Sequence, residues 1–363
     1  MRMGRAESGI WKYAERLPAV QAKYRESMGE GQTPLVKSKW LGAELGIAEL
    51  YFKLESLNPT GSYKDRISAL GVSLAKEHGK KACIGTTSGN AGASIAAYAA
   101  RAGLDYHVYV QENIVASKLE QILLHRANVY KVRGMGFRAE IGSRVFELVQ
   151  VKSRAENWEL LVTAYAYAPQ AMEAVKTIAY EVYDELGSVD GIFAPVGGGG
   201  LLAGVHRGFD DLRRLGCMDR LPKMFACQSS GCANLVKGWE QGLSGAVPGD
   251  STSRISGIQV PNPPDGRLVF HALHESAGSG LQVEDVRTWH WQEQLAWKEG
   301  IFCEPAGAIG LAGLAQAARD GKIRPSDRVI CIVSGAGYKD AERAQAMAQP
   351  FGDLPLLHVD DLE

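Results

Sequence analysis

The chain has 363 residues, about two domains at roughly 150 residues each, so it is not a small module held together by disulfides or a metal. Lys and Arg number 40 against 41 Asp and Glu, a formal charge of −1, and no run of like charge makes a nucleic-acid or membrane patch. Its 42 glycines are about 12% of the chain against a usual ~7%, an excess that asks for a backbone explanation.

The N-terminal stretch MRMGRAESGIWKYAERLP lacks the apolar segment of a secretory leader, and no window of 18 apolar residues follows, which predicts a cytoplasmic protein. Cys83, Cys217, Cys227, Cys232, Cys303 and Cys331 are scattered without ligand spacing, so they read as reduced, mostly core thiols, with neither a disulfide framework nor a metal site. In chain order, ELYFKLE, ACIGTTS, YHVYVQE, NVYKV, ELLVT, GIFAPV, MFACQ and RVICIVS are predicted strands. Amphipathic stretches at 93–102 and 172–186 are predicted helices, and the alternation implies a twisted, largely parallel α/β sheet. Residues 249–280, rich in Pro, Gly and Ser, read as an extended loop that lines or covers a site. Trp289, His290, Trp291 and Trp297 fall on one predicted helix and read as packing or a subunit contact.

Four segments offer chemistry. NPTGSYKDR, residues 58–66, follows a strand and delivers Lys64 to a sheet end, either as a surface charge or as an amine able to form a Schiff base once its pKa falls from ~10.4. TTSGNAG, residues 86–92, is a polar turn before a helix, either a cap or a carboxylate grip. PVGGGGLLAG, residues 195–204, is strand, glycine run and helix, either a tight turn or a cup of amides for a phosphate. Finally, Ser334 follows the strand RVICIV. Ligands of open α/β sheets bind at the carboxyl ends of strands, where all four lie. A reactive lysine, a phosphate cup and a hydroxyl for a ring nitrogen together match the needs of pyridoxal phosphate (PLP).

The order of motifs resembles the fold-type II PLP enzymes, and among them the threonine synthases. The matching segments are GEGQTPL (29–35), NPTGSYKDR, Ser88-Gly89-Asn90, Gln228 in FACQSSG, EPAGA (304–308) and SGAGYKD (334–340), within a resemblance that spans residues 11–341. It implies two open, twisted, mainly parallel α/β lobes with the cofactor between them: a large lobe from 1–75 and 151–363, and a smaller inserted lobe, 76–150, that closes over the substrate carboxylate. It also implies a homodimer. By the same resemblance Lys64 carries the cofactor and later shuttles protons, and Asn90 bonds the ring's phenolic oxygen. Gly197, Gly198, Gly199, Gly200 and Leu201 hold the phosphate, Ser334 faces the pyridine nitrogen, and Phe137 lines the ring. Thr87, Ser88, Gly89 and Ala91 bind the substrate carboxylate.

The departures fall at the substrate end. Where threonine synthases have an asparagine-serine pair and then an arginine that grip the phosphate of O-phosphohomoserine, this chain has Tyr165, Ala166 and Ala171. Gly257 replaces a common alanine, and PNPPDG (261–266) replaces a glycine-asparagine-proline turn. The expectation is a PLP-dependent lyase or replacement enzyme acting on an α-amino acid with a leaving group at Cβ or Cγ. Its rivals are threonine synthase proper, with Arg138, Arg254 or Arg267 as relocated phosphate ligands, a serine/threonine dehydratase, and a catalytically idle PLP-fold binding protein.

Overall fold

The computed structural model describes residues 8–352 and 354–359. The first seven residues of the stretch read as leaderless, and the outer ends of the expected large lobe, lie outside the described residues. Among the described residues no helix is long and apolar enough to cross a membrane.

Among the described residues, ten strands form two sheets. The larger has the order β1 (Leu35–Lys37), β2 (Glu49–Lys53), β10 (Arg328–Ile332), β7 (Gly191–Pro195), β8 (Lys223–Ser229) and β9 (Ser279–Val283), with only the β1–β2 pair antiparallel. The smaller, wholly parallel, has the order β5 (Asn128–Val132), β4 (Asp105–Gln111), β3 (Ala82–Thr87) and β6 (Glu159–Leu160). All eight predicted strands appear. The central ones are buried on both faces, which explains their unbroken apolar runs.

Three features stand beside the predicted elements. Helix Ala139–Ala155 runs across position 150, and β6 pairs with β3. The stretch 249–280 is irregular only to 265. Helix Gly266–Glu275 follows, because Val269, Phe270, Ala272 and Leu273 recur at helical spacing and are buried together. β1 and β9 were not anticipated, since β1 is short and half exposed and Ser279 and Gly280 weaken the strand signal of β9.

Helix Lys64–Glu77 joins the lobes. Its Leu70 and Val72 are fully buried in one apolar cluster with Ile95 of the small lobe and Val175 and Ile178 of the large one. A buried ionic network fixes its first turn. Arg66 Nε and Nη2 donate to Glu55 at 2.8 and 2.7 Å, and Nη2 also donates to Glu181 Oε2 at 2.8 Å. Lys53 Nζ lies 2.8 Å from the same Glu181 oxygen. The GEGQTPL segment is tied to this network: the Gly31 amide donates to Asn58 Oδ1, the Gln32 amide to Glu181 Oε1 and the Thr33 hydroxyl to Glu55 Oε1. Asp65 accepts from the Thr60 amide and hydroxyl, both at 2.6 Å. The two flanking charges of the Lys-Asp-Arg run are therefore structural, and they hold Lys64 toward the cleft.

Candidate active site

A cavity of about 170 Å³ lies between the lobes. Lys64, Ser88, Asn90, Ala91, the glycine run, Leu201 and Ser334 all line it. The four segments singled out in the sequence thus meet at one place.

β7 ends at Pro195 and helix Gly200–Arg214 begins five residues later. Between them Gly199 adopts φ +99°, and a side chain there would come within 2.8 Å of Val269 Cγ2. The amides of Gly197, Gly198, Gly199, Gly200 and Leu201 have no acceptor among the described residues. Successive free N–H groups at the start of a 15-residue helix make a cup that a phosphate satisfies with several acceptor oxygens.

Lys64 Nζ donates to Thr163 Oγ1 at 2.8 Å. Burial brings its pKa down to about 7, opposed by the nearby carboxylates of Asp265 and Glu304. A neutral amine is therefore accessible near physiological pH, as a nucleophile or proton acceptor requires. Ser334, 5% exposed, follows β10 and lines the cleft, its hydroxyl without a protein partner among the described residues.

At the opposite wall the Thr87 hydroxyl accepts the amides of Gly89 and Gly92, both at 2.9 Å. The Gly89 amide is taken up by this bond, and Gly89 does not line the cleft. A Cβ on it would fall 2.4 Å from Lys118 Cδ. The amides of Asn90 and Ala91, by contrast, have no acceptor among the described residues. Phe137 is 39% exposed and outside the cleft lining, while Gly136 and Arg138 on either side belong to it.

Sequence reasoning missed three residues. Thr163 looked like the end of an ordinary strand. Glu304, buried and lining the cleft, accepts from Asn90 Nδ2 at 2.6 Å and lies 2.7 Å from Lys118 Nζ. Lys118 itself, on helix Ala116–Leu124, had no local signal, because a single lysine on an amphipathic helix reads as a solvated charge.

The departures are resolved individually. Ala171 lies in the apolar core, where a Cβ added to Gly71 would stand 3.2 Å from its own. Tyr165 is buried outside the cleft lining, its hydroxyl on the Met172 carbonyl. Asp265 of the PNPPDG turn accepts the Tyr165 and Ala166 amides at 2.9 and 3.0 Å, and burial pushes its carboxyl up. Gly257 has φ +88°, so glycine answers a backbone demand there, and the space a side chain would enter is open to 3.9 Å. Of the three candidate arginines, Arg138 lines the cleft with no carboxylate partner among the described residues. Arg254 stacks 4.6 Å over Trp289, and Arg267 is exposed outside the lining.

The family described as pyridoxal-phosphate dependent enzyme matches residues 26–335. Threonine synthase of Methanocaldococcus jannaschii is 35% identical over 96% of this chain and 85% of its own length. That of Mycobacterium tuberculosis strain H37Rv is 32% identical over 92% and 89%. Among solved structures, diaminopropionate ammonia lyase of Escherichia coli superposes with a TM-score of 0.76 at 16% identity, covering 95% of both chains. Maize serine racemase gives 0.71 at 21%, over 88% of this chain and 93% of that one. These two establish likeness of fold.

Proposed function

The chain belongs to the pyridoxal-phosphate dependent enzymes, and from that premise we propose that it catalyses elimination or replacement on an α-amino acid with a leaving group at Cβ or Cγ. The observation that carries the reading is the placement of Lys64, an amine lowered to about 7, in one cleft with the amide cup and the Ser334 hydroxyl. The residues fit the cofactor: the free amides from Gly197 to Leu201 suit its phosphate, and Ser334 suits its ring nitrogen. When bound, PLP supplies the electron sink for loss of the Cα proton. A hydroxyl at the ring nitrogen, unlike a carboxylate, leaves that sink weak, which favours elimination and replacement over transamination.

Each step for the protein then follows from its own atoms. The Asn90 and Ala91 amides, at the start of helix Asn90–Ala102, orient the substrate carboxylate. Lys64 Nζ, the group that would hold the cofactor, would also accept the Cα proton and return a proton later in the cycle. Thr163 Oγ1, which accepts from Lys64 Nζ at 2.8 Å, would hold that amine in position while it is free of the cofactor. The small lobe, with β3 and the Ser88–Asn90 turn, closes the cleft and excludes water.

A second reading, threonine synthase proper, is supported by Arg138, the arginine that lines the cleft. In this reading Arg138 takes over a phosphate that Ala171 and Ala166 cannot hold. Spectral titration of the holoenzyme with amino acids bearing O-acetyl, O-phospho or free hydroxyl groups at Cβ or Cγ tests the main reading. A shift in the cofactor's absorbance with release of the leaving group is expected. Purified protein that stays colourless after addition of PLP refutes it.

A further inference from the structure

Lys118 is fully buried, yet it stands on the small lobe and reaches across to the large one. Its Nζ lies 2.7 Å from Glu304 Oε2 and donates to Ser256 Oγ at 2.8 Å. Its methylene stem fills the space against Gly89, where any side chain would collide with it. The other oxygen of Glu304 accepts from Asn90 Nδ2 at 2.6 Å. Glu304 is in turn seated against the backbone beside Ser334, since a Cβ on Gly335 would fall 2.2 Å from its Oε1. One carboxylate thus receives two side chains from the small lobe and touches the turn that presents Ser334.

The chemistry of this contact fixes an orientation. An ionised carboxylate only accepts hydrogen bonds, so Asn90 must turn its NH₂ toward Glu304 and cannot flip. Its Oδ1 is left buried with no partner among the described residues, in a residue that lines the cleft. A buried unpaired carbonyl costs free energy and is relieved by a donor from whatever occupies the cleft or by a rearrangement of the amide. Lys118 sets a cation 2.7 Å from the Glu304 carboxylate where both side chains are removed from water, and a buried charge that loses its partner is strongly disfavoured.

We propose that Lys118 is a positioning residue for the cofactor site, acting through Glu304 to hold the Asn90 amide in one orientation and to draw the Ser88–Asn90 turn onto the large lobe. The proposal concerns cofactor placement and stands whichever amino acid is the substrate. Neighbouring contacts reinforce it: Ser117 Oγ donates to the Lys339 carbonyl at 2.8 Å, and Lys339 Nζ donates to Gln121 Oε1 at 2.6 Å, so one face of helix Ala116–Leu124 is tied to the segment after Ser334.

The test uses the holoenzyme and its Lys118→Met, Glu304→Gln and Lys118→Met/Glu304→Gln variants. The readouts are the cofactor dissociation constant by equilibrium dialysis, the absorbance maximum of bound cofactor and the thermal midpoint without cofactor. Lys118→Met is expected to raise the dissociation constant roughly tenfold or more, the size of one misplaced hydrogen bond, and to shift the absorbance maximum. The double variant, with no buried charge left unpaired, is expected to regain the thermal midpoint while keeping the weakened binding and shifted spectrum. It also serves if Lys118→Met does not fold. A double variant that binds cofactor with the wild-type constant and spectrum overturns the proposal, because the pair is then only a plug between the lobes.

Discussion

At the cofactor end of the cleft, Lys64 and the amide cup are held by backbone and by the buried Arg66–Glu55–Glu181 network, whose members are almost wholly removed from water. At the outer end, Arg138 and Asn262 are exposed, and the lobes meet through contacts such as Asn262 Nδ2 to Ser143 Oγ at 3.3 Å and the Ala139 amide to Asp250 Oδ1 at 3.2 Å. The first end is over-determined and the second is loosely made. A scaffold of this kind allows the side chains of the outer wall to change without disturbing Lys64, because the network that sets Lys64 shares no residue with that wall.

The comparison makes graded predictions. Lys64→Ala, at the centre of the rigid end, should lower turnover by at least about 10⁴-fold and remove the long-wavelength absorbance of bound cofactor. Turnover assays and spectra on the same sample check it. Arg66→Met leaves Glu55 buried without a cation and Glu181 with Lys53 alone, and should cost about 3–5 kcal/mol in urea unfolding; a loss under 1 kcal/mol would show the network to be ornamental. Next comes a pair of glycines. Gly199→Ala, at φ +99° and 2.8 Å from Val269, should weaken cofactor binding roughly tenfold. Gly257→Ala, strained but with its Cβ no nearer than 3.9 Å to Ala306 Cβ and Lys118 Nζ, should cost about 1 kcal/mol of stability and leave cofactor affinity within about twofold. Equal effects from the two would show that the crowding against Val269 is not what shapes the cup.

Smaller effects belong to the outer wall and to pH. Arg138→Gln should leave the thermal midpoint unchanged and weaken binding of anionic amino acids about three- to tenfold relative to neutral ones, by spectral titration. The lowered pKa of Lys64 gives a pH signature. In the cofactor-free protein its amine is neutral above about 7, so the rate of cofactor capture should rise through pH 7 and level off above it. The unfolded chain retains that proton up to ~10.4, so this group makes the cofactor-free protein gain stability as pH rises from about 7 to ~10. Capture that rises only near pH 10 would contradict the burial of Lys64.

Much of the rigid end was legible in the sequence because its signals are local. Apolar runs marked β2, β3, β7 and β10, and the turns after them carried Lys64, Asn90, the glycine cup and Ser334. What escaped depended on distance along the chain. Lys118 and Glu304 are far apart in sequence and meet only across the lobes, and Thr163 gains its role from Lys64, 99 residues away. Helix Gly266–Glu275 was hidden by the proline-rich turn before it. Phe137 differs in kind: the family resemblance placed it beside the ring, and here it stands outside the cleft lining between two residues that belong to it. The glycine excess is likewise only partly a matter of ligands. Gly71 and Gly204 are demanded by helix packing, against Leu161 and Val175 respectively.

The claim that the cofactor end is retained while the substrate end has changed is tested most directly by phosphate release from O-phospho-L-homoserine by the PLP-loaded enzyme. The account predicts turnover well below about 1 s⁻¹, alongside spectral evidence that the cofactor is bound. Turnover of about 1 s⁻¹ or above, lost in Lys64→Ala, would contradict it and make the chain a threonine synthase with a rebuilt phosphate site.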